Sequence, residues 1–148
     1  MINIYPIWWN QDITIYNKYE DTTTQIVTWY RTNLSKCFWK NNIQKLTLGQ
    51  ETIETNSIIC RIPKNDSFME KYEWLKLPND QMANYFTLGE GDLIIKGTVS
   101  DTIDEYTKGS RSSDLKAKYK DLGCLEINNI SINIGNGVGM EHYLARGI

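Results

Sequence analysis

The residues of this chain that could carry out catalysis are few and far apart. Its one histidine, His142, follows Glu141 and precedes Arg146 by four residues. A histidine can act as general base for a cysteine or serine, provided that the fold brings the two side chains within hydrogen-bond reach. Cys37 could meet His142 in space, but no nucleophile–base pattern marks either residue. We therefore expect His142 to be a packing or interface residue and the protein not to be an enzyme.

The cysteines do not form a recognisable metal site. Cys37, Cys60 and Cys124 lie in apolar or strand-like runs and show no CxxC spacing. An odd number of such cysteines is typical of reduced, mostly buried thiols. A structural zinc needs four ligands, and one histidine with three scattered cysteines offers no such set. We expect neither a metal ion nor another cofactor.

Two short motifs are similar to ligand-binding loops. Residues 101–105 form an acidic cluster, but they lack the spacing of a calcium loop, so a solvated turn is expected. Gly135, Gly137 and Gly139 are spaced as in a phosphate-binding loop, which requires a helix directly after it. Only nine residues follow Gly139. A hairpin turn is therefore expected at 135–139.

The charge pattern does not favour a dedicated nucleic-acid binder. The net charge is −2, and basic and acidic residues are interspersed, whereas such proteins usually show a basic excess or stripe. Lys108, Arg111 and Lys116 lie in the one locally basic stretch, where contact with DNA phosphates would be natural. A solvated helix face is the simpler interpretation of this stretch.

The apolar pattern predicts a mainly β fold. Strands are expected at 12–17, 25–39, 58–62, 93–99, 124–127, 130–134 and 142–144. Asn33 and Ser35 predict a bulge or bend, and short helices are expected over 79–86 and 113–122. Most gaps are too short for parallel crossovers. We expect a small antiparallel β-barrel or sandwich with six or seven strands, one or two short helices and a long inter-strand loop.

The domain organisation follows from the same pattern. Residues 1–148 should form a single domain. We expect an N-terminal arm over 1–11, a long polar loop over 41–56 and a partly helical insert over 64–90. No run approaches the roughly 20 apolar residues needed to cross a bilayer, so no membrane is expected. Five Trp and nine Tyr suit a protein that contacts other proteins.

Four motifs carry a resemblance across the chain. They are Asp12-Ile13-Thr14-Ile15-Tyr16-Asn17, Ile58-Ile59-Cys60-Arg61-Ile62-Pro63, Phe86-Thr87-Leu88-Gly89-Glu90-Gly91-Asp92 and His142 with Gly147. Their succession resembles an uncharacterised family from the structural gene clusters of phages and prophages of Firmicutes. More loosely, the chain is similar to the head-closure (stopper) proteins of long-tailed phages, which are small β-barrels with a long loop between two strands.

The resemblance implies a structural virion protein of the phage neck. It would be a ring-forming head-closure, or head-tail connector, subunit that joins the portal–adaptor complex to the tail and lines the DNA conduit. The implied partners are copies of itself in a ring of six or twelve, portal and adaptor proteins above, and tail terminator or tube proteins below. Double-stranded DNA would pass through without sequence specificity. The subunit would assemble in the bacterial host cytoplasm and function in the virion.

On this interpretation two groups of residues are candidate functional sites. The loop 41–56 would point into the channel. Its candidate channel residues are Lys45, Leu48, Gln50 and Glu51. The candidate contacts to neighbouring subunits or rings are Trp8, Trp9, His142, Tyr143 and Arg146.

Two other functions stay open. The insert is longer than a minimal head-closure protein requires, which leaves a tail terminator ring protein as the first alternative. The second is an oligonucleotide-binding small β-barrel, in which Trp and Tyr side chains would stack on bases. The absence of a basic groove from the sequence pattern counts against that second alternative.

Overall fold

The described part of the fold is built from six strands that lie around a main hydrophobic core. A computed structural model describes residues 5–134 and 140–148, with the backbone alone for 42–44, 46 and 53–56. The strands are β1 (Gln11–Glu20), β2 (Val27–Leu48), β3 (Glu51–Pro63), β4 (Leu93–Lys96), β5 (Cys124–Asn133) and β6 (His142–Gly147). Two short helices, α1 (Lys71–Trp74) and α2 (Ser112–Lys118), and a 3-10 turn at Met82–Asn84 complete the described elements. The predicted mainly β class is confirmed.

All strand pairs are antiparallel, and the pairings close in the order β1-β2-β3-β6-β5-β4. Two strands bend across the structure. β2 pairs with β1 up to Cys37 and with β3 from Phe38 onward. β5 pairs first with β4 and then, from Ile127, with β6. The barrel is therefore flattened into two facing halves that share β2 and β5, which gives it a sandwich-like character.

The bend in β2 has a local cause. The register between β1 and β2 shifts between the pairs Gln11↔Cys37 and Ile13↔Leu34, and Lys36 has φ 59°. An extra residue on one strand with left-handed backbone is a β-bulge, which bends the strand and increases its twist. The bulge predicted around Asn33 and Ser35 is confirmed. It turns β2 from its partner β1 to its partner β3.

The core follows from the alternation of side chains in the strands. Inward-facing residues of all six strands, together with two from the chain before β4, form the main cluster: Ile13, Ile15, Cys37, Ile58, Cys60, Ile62, Phe86, Leu88, Ile94, Leu125, Ile127, Tyr143 and Ala145. A second cluster lies on the opposite side of β1 and β4, where Tyr16, Leu93 and Ile95 pack under Ile103 and Leu115. The segment that connects β4 to β5 and contains α2 thus covers one outer face of the barrel.

The insert 64–90 is packed against the barrel by Trp74. This side chain is fully buried, lies edge-on to Tyr19 and Tyr30, and donates its indole N–H to the Met82 carbonyl at 3.3 Å. The helix expected over 79–86 is reduced to the 3-10 turn at Met82–Asn84. Since the following residue, Tyr85, is extended and leads Phe86 into the core, a longer helix cannot form there.

The predicted loop 41–56 is wrong. The structure continues β2 and β3 through this segment as a hairpin whose turn lies at Gly49 and Gln50, with Gly49 at φ +65°. Pairing runs without interruption from Phe38↔Arg61 to Leu48↔Glu51. The segment contains many Asn, Gln and Thr residues, so it shows no clear hydrophobic alternation, and each strand is instead ordered by main-chain hydrogen bonds to the other.

Candidate assembly surfaces

The outer part of the β2–β3 hairpin projects from the barrel. β6 pairs with β3 only as far as Gly147↔Ile58. Beyond that point, the seven pairs from Asn42↔Ser57 to Leu48↔Glu51 form a two-stranded ribbon that no third strand joins among the described residues. At about 3.3 Å per residue the ribbon reaches roughly 20 Å beyond the barrel. We refer to residues 42–57 as the ribbon.

The structure brings the four candidate channel residues together at the outer half of the ribbon. Lys45, Leu48, Gln50 and Glu51 are all exposed, and Leu48 is paired in register with Glu51. Lys45 is paired with Glu54, so the ribbon places one lysine among two glutamates and many uncharged polar residues. The outer ribbon is therefore polar and close to neutral.

An isolated two-stranded ribbon is marginally stable in water, and its two outer edges present unpaired main-chain N–H and C=O groups. Proteins usually cover or interrupt such edges, because they can pair with other chains. A ribbon of seven residue pairs with an exposed Leu48 near its tip is the feature of this fold that is most suited to contact with something outside the subunit.

A second surface surrounds His142 at the other end of β6. The imidazole Nδ1 lies 2.8 Å from the Met140 carbonyl oxygen, which can only accept a hydrogen bond, so Nδ1 carries the proton. Nε2 then accepts from the Arg61 guanidinium at 3.0 Å and from the Asn133 amide at 3.3 Å. These contacts give both ring nitrogens of His142 hydrogen-bond partners within the subunit.

Aromatic residues of the N-terminal arm pack on this imidazole. The Trp9 ring lies edge-on to His142 with centroids 5.6 Å apart, stacks on Tyr5 at 5.3 Å and is tilted against Phe38 at 6.1 Å. The Tyr5 hydroxyl also donates to the Glu141 carbonyl. The arm residues 5–9 are therefore attached to the barrel by a compact aromatic cluster, even though they precede the first strand.

The five candidate interface residues differ in exposure. Trp8 and Arg146 are exposed and His142 is partly exposed. Trp9 and Tyr143 are buried, at 7% and 2% exposure. The prediction that these two contact neighbouring subunits is wrong, because Trp9 packs on its own barrel and the Tyr143 ring stacks on Phe68 at 3.9 Å.

Asp92 is an important residue whose role the sequence pattern did not reveal. It is fully buried and accepts the Lys18 backbone N–H and the Asn17 side-chain N–H, each at 2.9 Å. The Lys71 ammonium lies 3.1 Å from its carboxylate. Burial raises the pKa of Asp92, and the Lys71 charge offsets part of that rise. The cluster links the insert to β1 and to the start of β4, so its role is structural.

Gly147 is the second residue whose role was missed. A Cβ atom at this position would lie 1.8 Å from the Glu126 carbonyl oxygen. β5 and β6 approach closely here because the register between them shifts between Ile127 and Asn129. Only glycine can occupy this site without a backbone shift.

The basic stretch does not form a continuous basic surface. Lys116 is paired with Glu126 at 3.2 Å, and Lys118 is paired with Asp101 at 2.7 Å, while Lys108 and Arg111 are exposed. Hydrogen bonds from Lys118 and then Tyr119 lower the pKa of Asp101. The ion pairs reduce the positive field that a DNA phosphate would meet on α2.

The thiols are poorly suited to nucleophilic chemistry. All three cysteines are free. Burial raises the pKa of Cys37 to about 12 and that of Cys124 to about 11, and it raises the pKa of the fully buried Cys60 as well. Since the thiolate is the reactive form, these cysteines react slowly at neutral pH. Within residues 5–134 and 140–148 no group of three His, Cys, Asp or Glu side chains could hold a metal ion.

Comparisons with known proteins identify a family for this chain but no function. None of the helices in the described part of the chain is long and apolar enough to span a membrane. Searches among curated proteins and among solved structures give no significant match. The model of one protein family, described as a family of unknown function (DUF6751), matches residues 8–147. This match includes all six strands, and the chain therefore belongs to the DUF6751 family.

Proposed function

We propose that this protein is a structural subunit of the neck of a tailed bacteriophage, a ring-forming head-closure protein that joins the portal–adaptor complex to the tail. The observation that carries the proposal is the ribbon, a long two-stranded projection from a small closed barrel. The motif resemblance described above implies a small barrel with a long loop between two strands. In this chain that segment is the paired β2–β3 hairpin and not a loop, so the ribbon supports the proposal only as a long projection from the barrel.

The charge of the ribbon supports a role in a DNA conduit. A conduit must let a duplex slide, so it cannot bind phosphates tightly, and each lysine that neutralises a phosphate adds to affinity. The outer ribbon carries one lysine, Lys45, opposite Glu54. We propose that the ribbons of a ring point into the channel and retain packaged DNA, with Lys45, Leu48, Gln50 and Glu51 nearest the duplex.

The same charge balance disfavours the oligonucleotide-binding alternative. That function needs a basic groove along which a single strand can run, with aromatic side chains exposed beside it. Although Trp8, Tyr72 and Tyr106 are exposed, Lys116 and Lys118 are engaged in ion pairs, which reduces the positive field that a single strand would meet on α2. A tail terminator ring would use similar surfaces, and the experiment below separates it from a head-closure ring by the platform that it binds.

Native mass spectrometry of the purified protein, alone and mixed with the adaptor–portal complex encoded in the same gene cluster, tests the proposal. A ring on that platform is the expected result. A ring that forms only on the tail tube would identify a tail terminator instead. A neck function would be refuted by a subunit that binds neither the adaptor–portal complex nor the tail tube and that binds single-stranded DNA in a salt-sensitive manner.

The role of the ribbon has its own test. Residues 42–57 are replaced by Asn-Gly, which joins the paired residues Asn41 and Ile58 through a two-residue hairpin turn. Because the barrel ladder ends at this pair, the variant should fold and form rings, while packaged heads lose DNA to added nuclease. Tyr72→Ala, which removes an exposed aromatic side chain from α1 and leaves the ribbon intact, is the control for DNA retention. Failure of the shortened variant to form rings would make the ribbon an assembly element, and nuclease-resistant heads would exclude it from DNA retention.

A further inference from the structure

The N-terminal arm displays two large apolar side chains on a fixed turn. The Trp9 N–H donates to the Pro6 carbonyl at 3.0 Å, which closes a turn over residues 6–9. Ile7 and Trp8 occupy its two central positions and are 87% and 65% exposed. Because the aromatic cluster around Trp9 and Tyr5 holds the turn, ordering these side chains for binding costs little additional entropy. Exposed Trp side chains of this kind are frequent anchors of protein interfaces.

A cavity of about 310 Å³ lies between α2 and the start of β5. It is lined by Lys116, Ala117, Lys120, Cys124 and Ile148. The lining is mostly apolar, and the two lysines supply methylene stems. The Lys116 ammonium is paired with Glu126 at 3.2 Å, so the cation offered to a ligand is that of Lys120. An ammonium group near an aromatic face is attracted by the ring quadrupole, most strongly for Trp. The cavity is thus chemically suited to an indole.

The turn and the cavity lie at opposite ends of β6. Trp9 packs on His142, the first residue of β6, whereas Ile148 follows its last residue. Six residues of strand separate the two ends by about 20 Å. The turn of one subunit is therefore remote from its own cavity, but a second copy displaced along the β6 direction can place its turn there. A contact between two different patches is heterologous, and it repeats from copy to copy to form a ring or a filament.

We propose that the Ile7–Trp8 turn of one copy binds the cavity beside Cys124 of the next copy, with the Trp8 indole between the lysine stems. This inference rests on the proposed ring function and deepens it by naming the head-to-tail contact. A single anchor buries much less than the roughly 1,200 Å² of a stable interface. The isolated protein is therefore monomeric when dilute, and the contact forms at high concentration or on the platform.

Cys124 reports directly on the occupancy of the cavity. It lines the cavity, whereas Cys37 and Cys60 are fully buried in the barrel. Its rate of alkylation by N-ethylmaleimide should fall severalfold from dilute to concentrated protein, while Trp8→Ala keeps the dilute rate at all concentrations. Tyr72→Ala removes an equally exposed aromatic side chain from α1, and this control should be protected like the parent protein.

Two complementary variants test the head-to-tail arrangement. Trp8→Ala removes the anchor but keeps the cavity, and Ala117→Trp fills the cavity but keeps the anchor. Each variant alone should sediment as a monomer when concentrated. A mixture of the two should form a dimer and no larger species, because it offers one intact anchor and one intact cavity per pair. The parent protein should form species larger than a dimer. The contact is refuted if either variant alone associates like the parent, if the mixture stays monomeric, or if Cys124 is never protected.

The failure of this contact can be distinguished from the failure of the neck function. If rings form on the adaptor–portal complex while Cys124 stays reactive in them, the neck function holds and the ring uses another surface, so the inference fails. If the complementary variants pair in solution but no ring forms on either platform, the contact is supported and the neck function fails.

Discussion

Replacing Lys71 by methionine tests whether the Asp92 cluster holds the insert on the barrel. The carboxylate of Asp92 is fully buried, and the Lys71 ammonium, 3.1 Å away, is the cation paired with it. At an effective dielectric constant of about 20, two unit charges at this distance attract by about 5 kcal/mol. Two other donors, the Lys18 N–H and the Asn17 amide, remain in the variant. We therefore expect Lys71→Met to lower the free energy of unfolding by about 3 kcal/mol at neutral pH.

The pH dependence of that loss is the sharper part of the prediction. Burial raises the native pKa of Asp92 above its unfolded value and Lys71 lowers it, so the native pKa is higher still in Lys71→Met. A carboxyl group whose pKa is higher in the native state than in the unfolded state stabilises the fold fully below its unfolded pKa. That stabilisation is lost as pH rises through the native pKa. The protonated carboxyl no longer needs a cation. The difference between parent and variant should therefore be largest near pH 7.5 and should shrink as pH is lowered toward 4.

Urea unfolding followed by Trp fluorescence at several pH values measures this difference. Lys76→Met is the matched control, because Lys76 follows the same helix and its pair with Glu73, at 3.8 Å, is exposed on both sides. Lys76→Met should lower the free energy of unfolding by less than about 0.5 kcal/mol at every pH. If the loss in Lys71→Met equals that of the control, or stays constant from pH 7.5 to 4, the ion pair does not hold the insert.

Three further outcomes are expected. Gly147→Ala should lower the free energy of unfolding by about 3 kcal/mol in urea titrations, since its Cβ would meet the Glu126 carbonyl; a neutral result would mean that β5 and β6 are not this close. Trp9→Ala should lower the free energy of unfolding by about 3–5 kcal/mol, and Trp8→Ala should lower it by less than about 0.5 kcal/mol. Equal losses would contradict the burial of Trp9 and the exposure of Trp8. In dilute native protein Cys124 should be the first thiol alkylated, at a rate that rises with pH up to about 11, and faster labelling of a buried thiol would contradict the barrel core.

The parts of the fold that were predictable are those with local signals. Ile13 and Ile15 alternate with polar or small neighbours, and the bulge near Ser35 follows from residue types that interrupt a strand. The ribbon was not predictable in this way. Its sequence contains many Asn, Gln and Thr residues and shows no clear hydrophobic alternation, and its two strands are ordered by pairing with each other across the turn at Gly49.

The missed site residues depend on contacts that are distant in sequence. Asp92 follows a glycine and is typical of a solvated turn, yet its partners are 21 residues away at Lys71 and more than 70 residues away at Lys18 and Asn17. Gly147 is constrained by a carbonyl of β5 rather than by its own backbone angle. Trp8 and Trp9 are adjacent and identical in type, so their sequence does not distinguish Trp9, which packs on His142, from Trp8, which lies in the exposed turn closed by the Trp9 N–H and the Pro6 carbonyl.

The length of β2 gives the ribbon a mechanical connection to the rest of the subunit. This single strand of 22 residues has a contour length of roughly 70 Å and runs from Val27 to Leu48 at the ribbon tip. Tyr30 near one end contacts Trp74, and the bulge at Lys36 is the point where the strand changes its partner from β1 to β3. A force on the tip is therefore carried as shear along the ladder with β3, toward the bulge and the docked insert. A force applied to the ribbon is therefore transmitted to the insert at Tyr30 and Trp74 through the continuous backbone of β2.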